Sequence, residues 1–365
     1  MMAMADHTHA RALHIVAPDS LRTWFRHFVH DPDGLDQILY ADADSPLPLD
    51  HLLRRLDAVG SALVVFHSSH ETLLRDSALA AELSRRGHAV LAQSPVAARL
   101  GVDKCLMREL FERHGLSALP WWRHHEARAA SADAVVVVKA RGGTQSRGTR
   151  LALLRSANPS ADEFCELYAD GTEYSVLVYR DDSKEAVLPP VWKGPTSRRL
   201  VPPWRRLRLC PDPFGGQQLD RKLRDWGLRT AVAAQSTGWT EVELLVTGEG
   251  TVHVLEINPR VSGTLRIAAL AAQVLPFSLH RAPAVRGQVP PVRHAAEVPY
   301  TGPGVADADR AVFGTSRLTV AAPTYGELLA KLGHAADEHV QAVLAPFVAG
   351  DSRARRSVAP VVPKR

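Results

Sequence analysis

Residues 241–263 read EVELLVTGEGTVHVLEINPRVSG, and the reading of the whole chain turns on them. Two β-rich runs, Glu241 to Val246 and Thr251 to Ile257, flank the turn Thr247-Gly248-Glu249-Gly250, the pattern of an antiparallel hairpin. If Val246 pairs with Thr251, Glu243 falls opposite Val254 and Glu241 opposite Glu256. Glu243 and Glu256 then share a face as diagonal neighbours, roughly 7 Å apart at the backbone. Asn258 continues that face, giving three oxygen donors above one surface. Hard oxygen ligands of this kind suit magnesium, with manganese as an alternative. Glutamates on a hairpin are by default a solvated face, so the assignment needs support from elsewhere in the chain. It is also sensitive to register, because a slip of one residue would send the two carboxylates to opposite faces.

Working outward, Ser262 and Gly263 lead into an Ala-rich helix over Thr264–Gln273, whose amide end favours anions. Upstream, Leu219, Leu223, Trp226 and Thr230 form the apolar face of a helix over residues 216–236, stopped by Gly238. The stretch from Val191 to Gly216 reads as irregular, with Lys193, Arg198, Arg199, Arg205, Arg206 and Arg208 set among five prolines. Its cations are equally consistent with an acidic substrate and with solvated loop charges. Val176–Arg180 and Glu185–Leu188 form a further hairpin.

A second glycine-rich turn lies earlier. Val135–Ala140 is a β-branched strand carrying Lys139, and Thr149–Leu154 is its partner. Between them runs Arg141-Gly142-Gly143-Thr144-Gln145-Ser146-Arg147-Gly148. Such a loop can turn its N–H groups inward, and its arginines make it a candidate phosphate cradle, although it lacks the Gly-Lys-Ser/Thr ending of a Walker loop. Asp103 to His114 reads as a helix capped by Asp103 and ended by Gly115. Lys104 in its first turn opposes the helix dipole unless an anion is near. Residues 11 to about 95 alternate short strands (Ala12–Ala17, Leu63–Phe66, Ala89–Ala92) with helices (Leu49–Leu56, Thr72–Arg86), an α/β pattern without a dinucleotide fingerprint. His67 and His70 read as loop histidines with no metal assigned.

Composition narrows the class. With 365 residues, 45% hydrophobic, 23% charged and a net charge of +5, the chain has the profile of a globular protein of two or three domains. Its basic residues are scattered, so no nucleic-acid partner is expected. No apolar run reaches the roughly 20 residues of a membrane span, no signal-peptide pattern opens the chain, and three isolated cysteines fit a reducing compartment, so the expected location is cytoplasmic, away from membranes. Lysines number only seven against 44 basic residues, which makes each of them worth inspecting.

Glu256-Ile257-Asn258-Pro259-Arg260, preceded by Glu243 on the neighbouring strand, resembles the closing motif of the ATP-grasp superfamily, ligases and carboxylases that clamp ATP between two α+β lobes. The likeness covers residues 95–280 well. It implies an α/β and α+β protein, with a pre-ATP-grasp domain over 11–95, a small lobe with the glycine-rich lid over 96–172, and a large lobe with the metal site over 173–282. A C-terminal appendage over 283–350 and a disordered basic tail over 351–365 complete the expected division. On this resemblance Lys104 and Lys139 touch ATP phosphate, and Gly142, Gly143, Ser146 and Gly148 close over it. The segment Glu166–Val176 is similar to the interlobe hinge, with Glu166 and Glu173 as nucleotide-side candidates, although Ser160–Ala169 also reads as helical. Glu243, Glu256 and Asn258 hold magnesium, while Arg260 grips the transferring phosphoryl group or a carboxylate; Arg260 and Lys139 are the candidate catalytic residues.

The implied activity is an ATP-dependent carboxylate–amine ligase working through an acyl phosphate, with small-molecule carboxylate and amine substrates, plausibly amino acids or a specialised metabolite. A homodimer is compatible with this. The alternatives are a bicarbonate-using carboxylase or carbamoyl-type enzyme, and a non-catalytic ATP-binding regulatory module.

Overall fold

A computed structural model describes residues 11–16, 21–28, 37–42, 47–59, 62–129, 133–144, 148–202, 205–282, 286–302, 310–313 and 317–348. Ser146 and the tail over 351–365 lie outside the described residues. The first unit holds β1 (Arg11–Val16), α1 (Arg22–Phe28), β2 (Gln37–Tyr40), α2 (Leu49–Val59), β3 (Ala62–His67), α3 (Leu73–Arg85) and β4 (Ala89–Leu91). Its strands form a parallel sheet in the order β2-β1-β3-β4. The sequence pattern finds all of these elements but α1 and β2. Connecting helices α4 (Pro95–Leu100) and α5 (Lys104–Arg113) follow, each N-capped as short polar side chains permit: Ser94 Oγ accepts from Ala97 N–H, and Asp103 accepts from Cys105 and Leu106 N–H.

A small lobe is built on β5 (Trp121–Arg123), α6 (His124–Ala129), β6 (Val135–Ala140), β7 (Arg150–Leu153) and β8 (Glu163–Leu167), an antiparallel sheet in the order β5-β8-β6-β7. Here the helical reading of Ser160–Ala169 fails. Phe164, Cys165 and Glu166 are drawn into a strand because β5 and β6 pair with it on both sides.

The large lobe carries β9 (Gly171–Arg180), β10 (Glu185–Val187), β11 (Val191–Pro195), β12 (Arg208–Cys210), α7 (Gly216–Ala233), β13 (Gly238–Thr247), β14 (Val252–Asn258), α8 (Leu265–Ala272), β15 (Arg286–Gln288), β16 (His294–Pro299), β17 (Arg310–Phe313), β18 (Arg317–Ala322), α9 (Tyr325–Leu332) and α10 (Glu338–Val348). One sheet runs β14-β13-β9-β11-β12-β16-β18-β17, so the strands after residue 283 extend the sheet that holds the hairpin. The stretch 191–216 is not irregular throughout, since β11 pairs with β9 and β12 with β16. Helix α9 ends at Leu332, with Gly333 as its C-cap, and α10 is a separate helix. Helix α7, expected to run to residue 236, ends at Ala233.

Two large cores seat this sheet. On one side, α1 reaches from the first unit onto the buried helix α8 and the turn after it, with Phe25 stacked on Phe277 at 4.3 Å between ring centroids. On the other, α5, α7, α9 and α10 cover Val176, Val178, Val242, Leu244 and Val254. Gly227 of α7 lies so close to β9 that a Cβ there would stand 2.5 Å from Val176 Cγ1. Gly227→Ala is therefore expected to lower stability by about 1–3 kcal/mol, read as a shift in urea midpoint, through overpacking at a branched side chain that cannot yield. Among the described residues no helix is long and apolar enough to cross a membrane.

Candidate active site

The hairpin forms, but not in the expected register. Val246 pairs with Val252 and Leu244 with Val254, one residue away from the simple arithmetic. Continued regularly, that pairing would set Glu243 opposite Leu255 and turn Glu256 to the other face. A β-bulge at this step prevents it: Leu255 is the extra residue, Glu243 stands directly opposite Glu256, and Glu241 stands opposite Asn258. Strand β13 is meanwhile locked to β9 without a break from Gly238 to Thr247. The carboxylates thus converge as directly opposed neighbours rather than as a diagonal pair.

They stand at one end of a cleft enclosing about 1060 Å³, open in part to solvent, between the small and large lobes. Lys104, Lys139, Gly142, Gly143, Glu166, Glu173, Glu243 and Glu256 all line it. Positive φ at Gly143 (100°) and Gly148 (71°) is the conformation that the glycine-rich turn between β6 and β7 requires. Arg141 anchors the start of this turn by gripping Asp103, the cap of α5, with Nη2 2.7 Å from Oδ2. Tyr168 and Ala169, which join β8 to β9, line the cleft between the lobes. Thr196, Ser197, Leu200 and Val201 line the cleft as well, and their segment is pinned where Gly171 N–H donates to Thr196 Oγ1 at 3.0 Å and where Arg198 lies 5.6 Å over the Tyr168 ring.

Each carboxylate in the cleft meets a cation from a different element. Lys104 Nζ is 3.2 Å from Glu256 Oε1 and also donates to Gly143 O at 2.7 Å, which ties α5, the glycine turn and the hairpin together. Buried Lys193 of β11 reaches Glu243 Oε2 at 2.9 Å, and Arg206 reaches Glu173 at 2.7 Å. Glu166 lies between Lys139 and the fully buried Arg108. Burial works to raise the Glu243 carboxyl, but the Lys193 ammonium, with Arg208 and Lys139 behind it, holds the group below the usual range.

Asn258 and Arg260 stand apart from this lining. Asn258 is buried and accepts from Arg260 Nη2 at 2.9 Å, while Arg260 faces a smaller cavity shared with His67, Ser68, Gln93 and Trp239 at the seam with the first unit. Glu241, on the same face of the hairpin, is held by Ser175 Oγ at 2.6 Å. Arg108 escaped the sequence reading as a site residue, and Lys193 and Arg206 entered it only among the cations of the 191–216 stretch. Arg108 had one signal: it lies four residues after Lys104, on the same side of α5.

Glu166 supplies a pH test. Burial favours its neutral form, yet Arg108 and Lys139 together hold its carboxyl below the ordinary value of 4.5. A group depressed in the folded state stabilises the fold fully above its ordinary pKa and loses that contribution as pH falls through its folded value. Between about pH 5 and 3 the melting temperature of Glu166→Gln should therefore fall less steeply than that of the parent. Parallel curves would show that the ion pairs do not act on Glu166 in this way.

No family model matches the chain. Among curated proteins it is similar to the D-alanine–D-alanine ligase of Oleidesulfovibrio alaskensis, 23% identical over 248 residues that cover 62% of this chain and 79% of that one. Among solved structures it superposes on biotin carboxylase from Campylobacter jejuni with a TM-score of 0.68, at 12% identity and over 95% of this chain and 98% of that one. N5-carboxyaminoimidazole ribonucleotide synthetase from Thermotoga maritima gives a TM-score of 0.62 at 15% identity, over 88% and 96% of the two chains. The chain shares the ATP-grasp fold of these structures. Its first α/β unit, the sheets of its two lobes and the cleft between them follow one another along the chain.

Proposed function

We propose that this ATP-grasp chain is an ATP-dependent ligase that joins a small-molecule carboxylate to an amine. The observation that carries the reading is the convergence, at one end of the interlobe cleft, of the opposed pair Glu243 and Glu256 with the lysines Lys104, Lys139 and Lys193. Anionic and cationic side chains interleaved in this way suit a polyphosphate that arrives with a divalent cation. The opposed carboxylates Glu243 and Glu256 fit magnesium, which would take phosphate oxygens and water at its other positions, while the amide oxygen of Asn258 would join them only by leaving Arg260. Bound there, magnesium would neutralise charge on the transferring phosphoryl group.

The chain's own groups would do the rest by position and charge. Lys104 and Lys139 exchange their glutamate partners for phosphate oxygens, and the N–H groups around Gly142 and Gly143 close on them. The adenine end lies against Tyr168-Ala169 with Leu200 and Val201 over it. A substrate carboxylate oxygen attacks the γ-phosphorus, the bond to the β-phosphate oxygen breaks, and an acyl phosphate and ADP result. The amine nitrogen then attacks the acyl carbon, the bond from that carbon to the bridging oxygen breaks, phosphate leaves with its electron pair, and the proton lost by nitrogen ends on phosphate. Arg260, at the seam with the first unit, is the group we assign to the substrate carboxylate.

A phosphate-release screen over pairs of acids and amines, including amino acids, tests this. Release that needs both partners supports ligation. Release with bicarbonate alone would favour a carboxylase, and tight ATP binding without ADP formation would favour a regulatory module.

A further inference from the structure

Arg108 is among the largest fully buried side chains of the protein, 1% exposed. It comes from α5, lies against Phe111 and Phe164 at 5.3 and 5.8 Å from their ring centroids, and reaches one carboxylate, with Nη2 2.5 Å from Glu166 Oε1. Its Nε and Nη1 have no hydrogen-bond partner among the described residues, so the contact with Glu166 is the polar contact that accounts for its charge. The other oxygen of Glu166 belongs to Lys139. Glu166 is itself 1% exposed, and removing one partner of a buried ion pair leaves the other without compensation.

Resting on the ATP-binding reading above, we infer that Arg108 is a positioning residue for nucleotide: it keeps Glu166 neutralised so that Lys139 is free to leave that carboxylate for a phosphate. With Arg108 in place, the free cleft holds a carboxylate shared by two cations, and the loaded cleft holds an intact Arg108–Glu166 pair. Without it, Lys139 becomes the last counter-charge of a buried carboxylate. Nucleotide must then compete with Glu166 for that ammonium.

The test is a double-mutant cycle read by calorimetric binding of MgADP. Arg108→Met, which keeps most of the buried volume, should weaken binding about tenfold. In the Glu166→Gln background, where no carboxylate remains to retain Lys139, the same substitution should change binding by less than about twofold. Arg108→Lys, which restores the charge, should bind within about threefold of the parent. A role confined to packing would give equal losses in both backgrounds, and that result, or parental affinity in Arg108→Met, would overturn the inference. If Arg108→Met does not fold, the charge-keeping Arg108→Lys decides: a tenfold loss there overturns it. A parent chain that binds no MgADP would remove the functional reading itself, a failure distinguishable from a flat cycle on a parent that binds.

Discussion

Glu256→Ala is expected to cut ATP turnover on the order of a thousandfold while leaving the fold in place. Glu256 is half of the opposed carboxylate pair, and its loss leaves Glu243 facing Lys193 with no second acidic ligand. The structural cost should be small. Glu256 is 26% exposed, its pairing with Lys104 is screened by solvent, and Lys104 retains its bond to Gly143 O. Steady-state ADP formation and a thermal melt measured on the same preparation check both halves. Turnover within tenfold of the parent, with an unchanged melt, would remove Glu256 from the proposed metal site.

Glu297→Gln should act in the opposite way, on stability far more than on chemistry, with a loss of about 3–5 kcal/mol in urea unfolding. Glu297 of β16 is fully buried, and three guanidiniums converge on it: Arg208 of β12 at 2.8 Å, Arg317 of β18 at 2.5 Å, and Arg266 of α8. Thr319 Oγ1 donates to the same carboxylate at 2.8 Å. Burial alone would raise this carboxyl, and the three arginines instead push it far below the usual range. The cluster should therefore stay intact well into acid, with its stabilisation fully present above the ordinary carboxylate pKa. Removing the charge leaves like-charged groups packed together where α8, β12 and β18 meet. A change under about 1 kcal/mol would show that the guanidiniums are compensated elsewhere.

Much of this architecture was legible in the chain. The strand ending in Lys139, the cap at Asp103, the glycine turn and the hairpin each carry a local signal: β-branching, a short polar side chain, a residue tolerant of positive φ. What escaped depends on contacts made far along the sequence. Leu255 looks like any strand leucine, and only its pairing with β13 shows it to be the surplus residue of a bulge. Lys193 sat in a stretch whose prolines argue against strands, yet β9 and β16 supply the partners that make β11 and β12. Phe164-Cys165-Glu166 is too short a run to declare itself, and becomes a strand because β5 and β6 flank it. Arg108 is buried through its pairing with Glu166, 58 positions on, a contact that no local pattern announces. The union of β12 with β16, and so the continuation of the sheet past residue 283, rests on equally distant pairing.

The two halves of the hairpin are fixed in place by different neighbours. Strand β13 takes its frame from the unbroken ladder with β9, whereas β14 is held from its far side, where Val254 N–H donates to Ser117 O at 2.7 Å and Ser117 Oγ meets His253 Nδ1 at 3.0 Å. The turn over Thr247–Gly250 joins strands whose positions other parts of the chain already dictate. It follows that a circularly permuted chain opened between Gly248 and Glu249, at an exposed tip, would keep its two glutamates face to face. The connection that makes the motif recognisable in sequence is the part of it the fold can do without.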